Sequence, residues 1–93
     1  MIRNDYEDYS DTVLYDVFYE AGTMLGGWLT EAQDRAEAQG DKSLAVALFQ
    51  EQLELVRERD LVYARDRATQ IAKIKKWEAS RAELDVNKIP VAV

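Results

Sequence analysis

The stretch DTVLYDVFYEAGTMLGGWLTEA, residues 11–32, decides the fold class. Its apolar members are Val13, Leu14, Val17, Phe18, Ala21, Met24, Leu25, Trp28, Leu29 and Ala32. They recur at three- and four-residue steps and form one continuous face about 160° wide on a helix of 3.6 residues per turn. Asp16, Glu20 and Thr23 lie opposite. Ser10 or Asp11 supplies the N-cap, because either side-chain oxygen can accept from the orphan N–H groups of a first turn. Gly26-Gly27 weakens the rod by up to ~1 kcal/mol for each glycine. Thr30-Glu31-Ala32-Gln33 has the form of a capping box, so the pattern also admits a bend or restart near residues 26–30.

Downstream, Gly40 stands where a C′ glycine ends a helix, and Asp41 is a ready N-cap for the next one. A tight helix–helix turn is expected there. From Lys42 to Asp85 there is neither Gly nor Pro. As one helix this stretch would be about 66 Å long, and covering it would demand a dimer. The apolar face also shifts. Leu44, Leu48, Phe49, Leu53, Leu55 and Val56 share a broad stripe, whereas Leu61, Ala64, Ala68, Ile71 and Ala72 centre on one rotated by roughly 100°. The polar run Arg57-Glu58-Arg59-Asp60 lies between them. A break between residues 58 and 67, capped by Asp60 or Asp66, satisfies both stripes.

The expected fold is therefore all-α, a small three-helix bundle or elaborated helical hairpin, and dimeric if residues 42–85 form one helix. Helices are placed near 11–38, 42–60 and 64–85. Residues 1–93 are read as a single helical domain, with residues 1–10 as an acidic leader and 86–93 as an extended tail. A core of this size buries roughly 60–65% of the unfolded chain's surface, so intrinsic stability is modest.

Composition narrows the chemistry. The chain has no cysteine and no histidine, which removes disulfides, thiolate metal sites and imidazole bases. Ser10, Ser43 and Ser80 thus have no histidine to activate them. No Gly-x-x-x-x-Gly-Lys phosphate cradle occurs, and the run Asp5-Tyr6-Glu7-Asp8 lacks the glycine and terminal glutamate of a calcium loop. No catalytic, cofactor-binding or metal-binding residues are assigned, and no cofactor. No apolar run reaches the ~18 residues of a membrane span; the leader has no apolar signal region. Cytoplasmic residence is the expectation.

The net charge of −6 is unevenly placed: residues 1–40 carry −7 and residues 41–93 carry +1. That balance argues against general affinity for nucleic acid, because phosphate repels it. It suits an acidic half that meets a basic surface.

Three features could meet a protein partner. Tyr15, Tyr19, Gly22 and Gly26 recur at four- and seven-residue steps along one flank of the first helix. The glycines make a notch and the tyrosines give large amphipathic contacts; the strip is a socket for a partner helix, or a close-packing site for the chain's own second or third helix. Trp77, beside Lys73, Lys75 and Lys76, is an anchor if exposed and a core residue if buried. The acidic leader from Asp5 to Asp11, with Tyr6 and Tyr9, can occupy a basic cleft or merely solvate the chain.

The phrase Asp8-Tyr9-Ser10-Asp11-Thr12-Val13-Leu14-Tyr15-Asp16-Val17-Phe18-Tyr19-Glu20-Ala21-Gly22, with Asp66-Arg67-Ala68 and Trp77 later, resembles the small antitoxin partners of zeta-type toxin kinases in actinobacteria. The resemblance implies a non-catalytic helical protein that caps the nucleotide or substrate cleft of a toxin kinase. Two rival readings accompany it: a phage or plasmid inhibitor acting by acidic surface mimicry, and a structural homodimeric assembly protein.

Overall fold

A computed structural model describes residues 5–83. After a 3₁₀ turn at Asp5–Asp8, three helices follow: α1 (Asp11–Ala38), α2 (Lys42–Asp60) and α3 (Arg67–Glu83). The chain is all-α, and the 42–85 stretch is broken at residues 61–66. The ground for expecting a dimer from one long rod is therefore gone. The tail at 86–93 lies outside the described residues.

Local chemistry sets each boundary. The Ser10 hydroxyl accepts from the Val13 N–H at 3.2 Å and starts α1. Gly40 ends it at φ 78°, with its N–H on the Glu37 carbonyl and the Asp41 N–H on the Ala36 carbonyl at 2.8 Å. That pair of bonds is a Schellman turn, which only a residue tolerant of positive φ closes without strain. Asp41 then caps α2 by accepting from the Leu44 N–H. Asp66 caps α3, taking the Thr69 N–H at 3.1 Å and the Thr69 hydroxyl at 2.7 Å. Those bonds, the hydroxyl's first, hold the Asp66 carboxyl below its usual pKa. The admitted bend at Gly26-Gly27 does not occur. α1 runs straight through, and the Thr30 hydroxyl bonds back to the Gly26 carbonyl at 2.9 Å instead of capping a new helix.

α1 is the middle of the molecule. α2 returns antiparallel to it, pairing Gln52 with Gln33, Leu55 with Gly26 and Arg59 with Tyr19. α3 runs parallel to it, pairing Arg67 with Asp11, Trp77 with Gly22 and Arg81 with Met24. The Cα atoms span 45 × 31 × 14 Å, and α2 and α3 each pack on α1 far more than on one another, so the three helices form a flattened arrangement with α1 in the middle. Leu14, Phe18, Leu25, Leu29, Ala32 and Ala36 of α1 pack on Ala45, Leu48 and Leu55 of α2 and on Ile74 and Trp77 of α3.

Two stripes drawn from spacing alone point elsewhere. On α2, Leu48 and Leu55 turn inward, but Phe49, Leu53 and Val56 face outward with Val46. On α3 the small residues Ala68 and Ala72 are exposed, and Gln70, Ile74 and Trp77 are buried. Burying Ile74 and Trp77 removes far more apolar surface from water than burying two alanines would, and that difference sets the rotation of α3.

α2 and α3 are joined chiefly by charge. Glu58 accepts from Lys73 at 3.1 Å and from Lys76 at 2.9 Å. Partial burial works to raise the Glu58 pKa, but the lysine hydrogen bonds and charges outweigh it and the carboxyl sits below its ordinary value.

Two substitutions on one helix should move stability in opposite directions. Gly27 has open space around it, so Gly27→Ala should stabilise by about 0.5–1 kcal/mol. Gly22→Leu should destabilise by about 2 kcal/mol or more through overpacking. Urea unfolding followed by circular dichroism measures both, and a stable Gly22→Leu would show that the crossing is slack. Glu58→Gln should cost about 1 kcal/mol near neutral pH. Because the folded carboxyl has the lower pKa, its contribution is complete above the unfolded value of about 4.3. It is lost as pH falls through the depressed folded value. Thermal melts of wild type and Glu58→Gln should therefore converge in acid.

Candidate functional site

The structure fills the glycine notch from within. A Cβ at Gly22 would lie 3.2 Å from Arg59 Cδ and 3.3 Å from Trp77 Cζ3, and one at Gly26 would lie 3.7 Å from a Leu55 methyl. Trp77 is 2% exposed and stacks on Phe18 with centroids 5.3 Å apart. Of the five residues read as partner-binding, the four of the strip and Trp77, Gly22 and Trp77 are thus interior. Gly26 and Tyr15 are half-buried, and Tyr19 stands at the surface. The physical reason is the flattened layer: α2 and α3 both need a close approach to α1, and glycine provides it.

Arg59 joins that crossing to the surface. Its guanidinium lies 3.9 Å from the Tyr19 ring centroid, while Nη1 donates to the Tyr19 carbonyl and the Thr23 hydroxyl at 3.3 and 3.2 Å. The arginine covers one face of the tyrosine and keeps it erect.

The surface around the first half of α1 and the α2–α3 linker is open. Two shallow depressions of about 480 and 410 Å³ share Tyr15 and Asp16. The first is completed by Tyr19, Glu20 and Thr23, and the second by Asp11, Thr12, Ala64 and Arg65. Tyr63 and Leu61 project from the linker at 80% and 75% exposure. The linker backbone is nonetheless tethered. Gln70, fully buried, donates from Nε2 to the Tyr63 carbonyl at 2.8 Å, and Asp66 anchors the far end through its cap. Large apolar side chains on a tethered backbone lose little entropy on meeting a partner. A further depression of about 240 Å³, between α1 and α3, has the buried Ile74 and Trp77 as its floor. It is a seam between helices, closed at one end where the Tyr6 hydroxyl donates to Glu78.

The described part of the acidic leader is folded back on α3. Arg67 pairs with Asp11 at 2.9 Å and donates to the carbonyls of Tyr6 and Glu7. That turns the carboxylates of Glu7 and Asp8 outward on the surface, next to the start of α1. Among the described residues no group of three or more carboxylates is arranged to hold a metal ion, and no helix is long and apolar enough to cross a membrane.

Arg59 and Tyr63 were not singled out by spacing. Arg59 sits in a run of charges that reads as solvated, and only the fold brings it over Tyr19. Tyr63 had a visible signal, a large aromatic in a predicted break, where no apolar face requires one.

No family model matches the chain, and neither the curated proteins nor the solved structures give a match to it.

Removing the tether should loosen the linker without collapsing the core. In Gln70→Leu the Tyr63 carbonyl loses one of its two donors and keeps the Asp66 N–H at 3.1 Å, and the buried Gln70 Oε1, which has no partner, is removed as well, so global stability should change little. Chymotryptic cleavage after Tyr63 should nevertheless accelerate by about tenfold. Unchanged cleavage would mean that the rest of the linker, not Gln70, holds Tyr63 out.

Proposed function

We propose that this chain is a non-catalytic interaction protein that binds and blocks a partner enzyme. The observation that carries the reading is the tethered exposure of Tyr63 and Leu61 on a linker whose Ala64 and Arg65 share a surface depression with Tyr15 and Asp16 of α1. Aromatic anchors of this kind supply most of the binding energy in protein interfaces. The surrounding acids Asp16 and Glu20 set the sign of the surface that is met, favouring basic partners and speeding encounter.

The partner class we favour is a toxin kinase of the zeta type, with this chain as its antitoxin. A cleft built to accept phosphates is lined with positive charge, and an acidic, tyrosine-bearing surface is complementary to it. The absence of histidine and cysteine from the chain supports a role in binding over one in nucleophilic catalysis. No functional residue is transferred from the antitoxins to this chain; the binding surface is argued from its own geometry.

The test is co-expression with a kinase-type toxin encoded beside this chain. The wild-type chain should relieve growth arrest. Tyr63→Ala with Asp16→Lys should lose that protection while keeping the helical circular dichroism of wild type, since both side chains lie on the surface. A wild-type chain that leaves the arrest untouched ends the antitoxin reading.

A further inference from the structure

α2 is amphipathic twice over. Ala45, Leu48 and Leu55 face α1, but Val46, Phe49, Leu53 and Val56 form a second apolar line, each 46–56% exposed. Their steps of three, four and three residues are those of the a and d positions of a coiled-coil seam. At 100° per residue this line lies about 110° around the helix from the residues that meet α1. α3 reaches α2 on the other side, through Glu58. Neither neighbour covers the seam.

The two ends of the line identify its occupant. Lys42 and Asp60, both exposed, fall at the next seam positions before Val46 and after Val56. About a two-fold axis at residue 51, an antiparallel copy of α2 pairs Val46 with Val56, Phe49 with Leu53, and Lys42 with Asp60. Every apolar position meets an apolar one, and the charges at both ends meet their opposites. A parallel copy would set Lys42 against Lys42 and Asp60 against Asp60, which is repulsive.

We propose that the chain self-associates through an antiparallel pairing of α2 with the α2 of a second copy. The 19-residue helix offers about 28 Å of seam, burying on the order of 1,000 Å² in total, at the lower limit for a specific interface. The dimer is therefore weak and reversible, with a Kd of about 10–100 µM. It leaves Tyr63 and the acidic face of α1 uncovered, so it is independent of the inhibitor reading and neither stands or falls with the other.

Sedimentation equilibrium of the full chain from about 5 to 500 µM should show a monomer–dimer equilibrium. Leu53→Lys should raise the Kd by at least about tenfold with helicity retained, because Leu53 is outside the core. Asp60→Lys should also weaken the dimer; a parallel pair would not respond, exchanging one like-charge contact for another. Since the chain has no cysteine, engineered thiols report register directly. Val46→Cys mixed with Val56→Cys should oxidise to a cross-linked heterodimer. Val46→Cys alone should not, its two copies being about 15 Å apart along the helices. A chain that stays monomeric throughout, a dimer indifferent to Leu53→Lys, or cross-linking of Val46→Cys by itself overturns the proposal.

Discussion

The close approach of three helices at Gly22 is the constraint on which the rest of the structure depends. At that point a missing side chain on α1 lets Arg59 of α2 and Trp77 of α3 come to within van der Waals contact of its backbone. Trp77 can then lie on Phe18 with its rings nearly parallel, an apolar contact that fastens α3. Losing a buried tryptophan from such a site costs about 3–5 kcal/mol. That is a large part of what a domain of this size has, about 5–14 kcal/mol.

The same approach explains why the layer is flat. α2 and α3 each pack mainly on α1 and touch one another through Glu58 and its two lysines, a polar clip in place of a shared apolar face. A triangular bundle would bury more of α2. The flattened one leaves α2 with only its Leu48–Leu55 side covered, and Phe49, Leu53 and Val56 at the surface. The outward seam lies on the side of α2 turned away from α3, whose contact is made through Glu58.

Two surfaces of different character result. The first half of α1 and the linker carry tyrosines and carboxylates, held by Arg59, Gln70 and the Asp66 cap; this is the surface proposed to meet a partner. The outer side of α2 carries an apolar line with opposite charges at its two ends, Lys42 and Asp60, which suits an antiparallel copy of itself. They lie on separate elements, so one can be occupied without masking the other.

Much of this was legible in the residues alone. Caps and stops are local chemistry: Ser10, Gly40, Asp41 and Asp66 act within a few residues of themselves, so the helix limits near 11–38 and 42–60 could be read directly from the chain. The long apolar face of α1 was equally plain, because burial follows its period through Leu14, Phe18, Leu25, Leu29 and Ala32, leaving Val13 and Met24 exposed. Rotation was the part that spacing could not settle. α2 carries two apolar lines, and α3 offers alanines on one side and Ile74 with Trp77 on another. Only the competition for contact with α1 selects among them. The fate of the glycine–tyrosine strip turned on the same point. Whether Gly22 receives a partner or its own Arg59 and Trp77 depends on atoms 37 and 55 residues away, and a long-range contact of that kind leaves no mark in local sequence.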